Sequence, residues 1–95
     1  MYLFEHMIRY KVVITGKVQG VFFRKYALEK GRELQLTGWV CNQPDGSVLS
    51  MAQGTPEAVE AFIEWCRTGS PSAAVAAVYT EELPASSLPA FHIRN

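Results

Sequence analysis

The sequence predicts an α+β fold, a ferredoxin-like sandwich in which an antiparallel sheet carries two helices on one face. Three observations carry that expectation. Strand-type and helix-type periodicities follow one another in the order β-α-β-β-α-β, with a short terminal strand. An Asp45-Gly46 pair joins the two central strands in the manner of a hairpin turn. The chain has 95 residues, of which 48% are hydrophobic, enough for one core and one domain.

Ile8 to Thr15 alternates, with Ile8, Tyr10, Val12 and Ile14 on one face and Arg9, Lys11 and Thr15 on the other, the pattern of a half-buried strand. After a glycine-containing loop, Phe23, Ala27, Gly31 and Leu34 recur at helical spacing and mark the inner face of a helix. Gly31 lies on that stripe, where close approach to the sheet explains a glycine that costs about 1 kcal/mol against alanine. Leu36 to Asn42 is a second strand, Gln43-Pro44-Asp45-Gly46 a turn, and Ser47 to Gln53 a third strand. Thr55 is placed to cap a second helix that has Pro56 at its first position and Val59, Phe62, Ile63 and Cys66 inward. Gly69 ends it. Ala74 to Glu82 reads as the fourth strand and Phe91 to Arg94 as the short last one. Residues 1–7 read as a loose extension and residues 8–95 as the single domain.

Net charge is zero, which argues against a nucleic-acid binder that lives on phosphate contacts. The charge is unevenly spread. Residues 1–35 carry seven Lys/Arg against three Asp/Glu, hence +4, and residues 36–95 carry two against six, hence −4. No stretch approaches the roughly 18 apolar residues of a membrane span. Met1 to Met7 lacks a basic n-region and an apolar h-region, so a signal peptide is not expected. With two cysteines, Cys41 and Cys66, the expectation is a cytoplasmic monomer with reduced thiols. His6 and His92 stand far apart without ligand spacing around them, so no metal and no cofactor are expected.

The segment Gly16-Lys17-Val18-Gln19-Gly20-Val21-Phe22-Phe23-Arg24 lies between a strand and a helix start. A loop there can aim several N–H groups at one point where the helix dipole is positive, and glycines at 16 and 20 permit the backbone such a concave loop needs. Arg24 is the odd residue. A cation in the first helical turn opposes the macrodipole by about 0.3–1 kcal/mol, and a broken local rule marks a functional position. Beside a nest of N–H groups it reads as a clamp for a small doubly charged anion such as phosphate. Gly-Lys-Ser/Thr and Gly-x-Gly-x-x-Gly are both absent, which excludes the familiar nucleotide loops.

With these elements in place the chain resembles the acylphosphatase family. The resemblance rests on GKVQGVFFR at 16–24, on Gly38-Trp39-Val40-Cys41-Asn42, and on Asp45-Gly46-Ser47-Val48, and it covers residues 8–95. It implies that the backbone of Val18, Gln19, Gly20, Val21, Phe22 and Phe23 cradles the phosphate, that Arg24 binds its oxygens and that Asn42 orients the attacking water. The implied activity is hydrolysis of acyl phosphates to a carboxylate and inorganic phosphate, with phosphate or sulfate as competing anions. Cys41 replaces the Lys or Arg common in relatives, and Asn95 stands where relatives often end in Tyr, whose terminal carboxylate helps to hold the arginine.

The chemistry fits so small a set of groups. The leaving carboxylate has a conjugate acid near the Glu value, roughly 4.3, and departs unprotonated. No Asp, Glu or His stands beside Arg24 to act as a base, so the substrate's own phosphate would supply it. An amide such as that of Asn42 accepts from water and donates to phosphate at once. Blander roles compete for several residues: Asn42 as a turn-entry residue, Gln19 as a loop residue contributing its main chain, Cys66 as a core thiol, and Cys41 facing away from Asn42. Two other functions remain open: a non-catalytic phosphate or carbamoyl-phosphate binding module, and an RNA-recognition module of the same element order. The latter needs aromatics on the central strands, and Val48-Leu49-Ser50-Met51-Ala52 has none.

Overall fold

The structure, a computed structural model, describes residues 6–95. Its elements run β1 (Ile8–Lys17), α1 (Phe23–Glu33), β2 (Thr37–Asn42), β3 (Val48–Gly54), α2 (Pro56–Thr68), β4 (Ala74–Leu83) and β5 (His92–Ile93). This is the α+β ferredoxin-like arrangement read from the sequence. Of the extension expected over residues 1–7, residues 1–5 lie outside the described residues, while His6 and Met7 are exposed.

The strands form one sheet in the order β4-β1-β3-β2-β5. β1 pairs antiparallel with both β3 and β4, and β2 antiparallel with β3. β5 departs from the expected all-antiparallel sheet: Trp39 and Val40 of β2 oppose His92 and Ile93 in parallel register, so the sheet is mixed at that edge. The reason lies in the connection. From β4 the chain crosses the sheet to the opposite edge, tied on the way by Ser86, whose hydroxyl accepts from Arg9 Nη1 at 2.6 Å. The Ser86 N–H donates to the Gln53 side-chain oxygen at 2.9 Å and its carbonyl accepts from the Gln53 amide at 2.6 Å. The last strand thus enters beside β2 and runs with it.

Period-2 alternation decides which side of the sheet is buried. Tyr10, Val12 and Ile14 lie opposite Ala52, Ser50 and Val48, and Val40 lies opposite Ser50 from the other side, so these residues share the face that meets the helices. α1 packs on β2 and β5, and α2 packs on β1, β3 and β4. Phe23 and Ala27 of α1, Val59, Phe62 and Cys66 of α2, and Phe91 complete the core. Ser50, the buried polar side chain among them, donates to the Trp39 carbonyl at 2.8 Å and so is satisfied. Gly31 approaches the Phe91 ring, where an added Cβ would stand 2.6 Å from it. The expected close approach is therefore to the segment that leads into β5.

Element ends differ from the sequence reading in informative places. β1 continues through Gly16 to Lys17 by shifting register against β4 after Thr15, so the loop proper begins at Val18. α1 runs past Gly31 to Glu33, and Gln35 takes the left-handed conformation (φ 59°) that glycine usually supplies at a helix end. Among the described residues no helix is long and apolar enough to cross a membrane.

Candidate active site

The loop between β1 and α1 is held from two sides. The Gln19 side-chain amide donates to the Gln43 carbonyl at 2.8 Å and to the Ser47 carbonyl at 2.9 Å, fastening the loop to the β2–β3 hairpin. On the other side the Ser70 hydroxyl donates to the Val21 carbonyl at 2.7 Å in a buried contact just after α2. The Val18, Val21 and Phe23 side chains are buried and serve as pegs. Side chains and a carbonyl thus anchor the loop while its N–H groups are left over. None of the backbone N–H groups from Val18 to Lys25 donates to an acceptor among the described residues.

The start of α1 is consequently left open, a geometry able to receive an anion. Phe22 precedes it in the left-handed region (φ 61°, ψ 25°), no side chain caps it, and its first turn contains no acid. A left-handed conformation costs a non-glycine residue roughly 1–2 kcal/mol. Gly20 is also left-handed (φ 75°), and an added Cβ would meet nothing within 4 Å, so the demand for glycine there is conformational rather than steric. Backbone N–H groups, a positive helix end and Arg24 converge, and among the described residues no acidic side chain pairs with Arg24.

Asn42 arrives from β2. It lies opposite Val48, on the helix face of the sheet, whereas Cys41 lies opposite Leu49 on the uncovered face, as expected from alternation. The Asn42 Oδ1 is buried and has no hydrogen-bond partner among the described residues. Leaving a buried acceptor unpaired costs about 1–3 kcal/mol, so the group calls for a water or ligand. The hairpin that carries Asn42 is tightly closed. Asp45 accepts from the Ser47 hydroxyl at 2.6 Å and from the Ser47 N–H at 3.0 Å. Those two bonds hold the Asp45 carboxyl below the usual carboxylate range, the hydroxyl contributing most.

Loop, helix and strand enclose a cleft of about 460 Å³ lined by Val18, Gly20, Phe22, Phe23, Arg24, Lys25, Asn42, Ile93 and Asn95. Of the residues singled out in sequence, Val18, Gly20, Phe22, Phe23, Arg24 and Asn42 meet there. Gln19 and Val21 do not line it. The Gln19 main chain is the part expected to matter for phosphate, and the structure adds a role for its amide as the clasp between loop and hairpin. Lys25 and Ile93 had escaped the sequence reading. Ile93 lines the cleft because β5 lies beside β2, a long-range pairing that no local signal announces.

The end of the chain is positioned by the same pairing. The Arg94 N–H donates to the Val40 carbonyl at 2.9 Å, and its guanidinium sits 4.4 Å from the Trp39 ring centroid. Asn95 then reaches the cleft, and Arg24 Nη1 donates to its side-chain oxygen at 3.5 Å. Arg24 therefore meets a neutral amide there. Cys41 is half-buried on the uncovered face, and Cys66 lies in the core, where burial pushes its thiol well above the usual range. Neither lines the cleft.

Comparison with known proteins bears on the family and the fold. The acylphosphatase family model matches residues 10–93. An acylphosphatase of Shewanella amazonensis is 53% identical over 76 residues, spanning 80% of this chain and 84% of that protein. The structure of an acylphosphatase from Coxiella burnetii superposes with a TM-score of 0.91 at 40% identity, covering 95% of each chain. The acylphosphatase structure from Bacillus subtilis gives 0.90 at 31% identity, covering 93% of this chain and 99% of its own.

Proposed function

The chain belongs to the acylphosphatase family, and on that premise we propose that its cleft hydrolyses acyl phosphates with Arg24 and Asn42 as the catalytic residues. The observation that carries this is the Asn42 Oδ1: a buried acceptor without an internal partner, in the same cleft as a cation and an uncapped helix start. The N–H groups of residues 18–23 and the Arg24 guanidinium take the phosphoryl oxygens. Asn42 accepts a hydrogen bond from the attacking water and can donate from its nitrogen to phosphate. Water oxygen bonds to phosphorus as the bond from phosphorus to the acyl oxygen breaks, and the carboxylate leaves with the electron pair. The transferred water proton goes to a phosphoryl oxygen, so the products are a carboxylate and dihydrogen phosphate. Because the leaving group needs no proton, charge stabilisation and orientation suffice, and no step calls for a metal.

The positive half of the chain carries the loop and would steer the anionic substrate inward. Inorganic phosphate and sulfate fit the same cradle and compete for it. The proposed setting is the cytoplasm, where free thiols at Cys41 and Cys66 persist, with residues 8–95 acting as one unit and as a monomer.

Hydrolysis of benzoyl phosphate in the presence of EDTA tests this proposal. Wild type turns over and Asn42→Ala loses about 10²–10³-fold in kcat, the cost of removing one well-placed polar group, while inorganic phosphate still inhibits. Equal rates in the two proteins would remove Asn42 from the mechanism. No turnover by folded wild type would leave a phosphate-binding module.

A further inference from the structure

Phe22 is strained and unpacked at once. Its φ is 61°, and it is 73% exposed, more than Tyr79 at 61% and every other large hydrophobic among the described residues. Its loop neighbours Val18, Val21 and Phe23 are all buried, so their size is explained by the core. The core explains nothing at Phe22. The phosphate cradle does not either, since it uses the N–H of residue 22, which glycine would supply without strain. A bulky residue held in a costly conformation beside a cleft points to a ligand contact.

The cleft has room for one. Phosphate occupies about the volume of two to three waters, each roughly 30 Å³. The cleft holds about 460 Å³, and Phe22 and Ile93 both line it, an exposed ring and a half-buried aliphatic chain in the same cleft as Arg24 and Asn42. Water against the Phe22 ring is released when an apolar group covers it.

We propose that the Phe22 ring is the acyl-binding surface of the site, making acyl phosphates with an aromatic or extended apolar acyl group its preferred substrate class over acetyl or carbamoyl phosphate. This assignment rests on the hydrolytic function proposed above. The Phe22 side chain is then a specificity determinant: the ring touches the leaving acyl group, while the N–H of the same residue stays in the phosphate cradle.

The test compares kcat/KM for benzoyl phosphate and acetyl phosphate in wild type, Phe22→Gly and Phe22→Asn. Glycine and asparagine both accept the left-handed backbone, so the loop keeps its shape. Both variants are expected to lose roughly three- to tenfold on benzoyl phosphate, the size of an aromatic contact. Acetyl phosphate, too small to cover the ring, loses less than benzoyl phosphate in both variants, so the benzoyl-to-acetyl ratio falls by roughly three- to tenfold. The melting temperature does not fall, which a structural role for the ring would require. An unchanged benzoyl-to-acetyl ratio in both variants overturns the assignment and leaves hydrolysis standing. Failure of wild type to turn over either compound overturns the hydrolytic function and this assignment with it.

Discussion

Helix α2 starts behind Thr55, whose side-chain oxygen accepts from the Ala58 N–H at 3.2 Å, and continues with Pro56 and the acid Glu57. Helix α1 starts behind a left-handed Phe22, has no side-chain cap and no acid in its first turn, and carries Arg24 there instead. The two helices lie on the same face of one sheet and bury comparable stripes, yet one closes its positive end with its own side chains and the other leaves it open. The difference separates a helix end closed for stability from one left open, as the proposed phosphate cradle requires. Each missing device at α1 is a site kept free: an absent cap leaves N–H groups unspent, an absent acid leaves the dipole uncompensated, and Arg24 adds charge where a stabilised helix would avoid it.

Removing the charge should break the comparison most strongly. Arg24→Ala is expected to lose about 10³-fold or more in kcat and to lose inhibition by phosphate, because the variant gives up the charge-assisted contacts to the phosphoryl group. Its melting temperature should hold or rise slightly, since a cation at a helix start costs about 0.3–1 kcal/mol. Thermal unfolding beside steady-state kinetics checks both halves. A large drop in melting temperature would make Arg24 a structural residue.

The opposite result is expected at the closed end. Thr55→Ala removes the α2 cap at a cost of about 1 kcal/mol. For a domain of this size that lowers the melting temperature by roughly 4–8 °C. The kcat/KM should not move, because Thr55 does not line the cleft. A matching loss of activity would show that the two helix starts are coupled through the sheet.

The smallest effect concerns the hairpin to which Gln19 fastens the open end. The folded Asp45 carboxyl titrates below its unfolded value, mainly through the Ser47 hydroxyl. The unfolded chain therefore binds the proton first as pH falls. Stability from this contact is complete above the ordinary Asp value of about 3.9 and is lost as pH drops through the lower folded value. Melting temperatures followed from about pH 6 to about pH 3 should show a shallower acid decline for Asp45→Asn than for wild type. Parallel curves would mean that the contact contributes no pH dependence.

Much of this contrast was legible in the chain. Thr55-Pro56 announced a capped start, and Arg24 after a glycine loop announced one that breaks the rule. Both signals are local, read from residues within a turn of the helix they govern. The alternation of β2 by itself places Asn42 and Cys41 on opposite faces, because the side-chain period of a strand is two. The clasp role of Gln19 was not legible, for the complementary reason. Its amide reaches carbonyls 24 and 28 residues away, and nothing in the loop sequence names them.

Element types, their order, the inward stripes, the capped start of α2 and the glycine loop before α1 were all determined by the sequence alone, since each follows from short-range periodicity, turn chemistry or capping. Tertiary structure decided which of these meet. The sheet order places β2 next to β5 and under α1, and that placement puts Asn42 into the cleft of Arg24 and brings Ile93 and Asn95 to its wall. It also decided that Phe22 pays its backbone strain in the open while its neighbours are buried. Pairings of this kind join residues distant in the chain, and they are selected by the packing of the whole core rather than by any preference a local segment expresses.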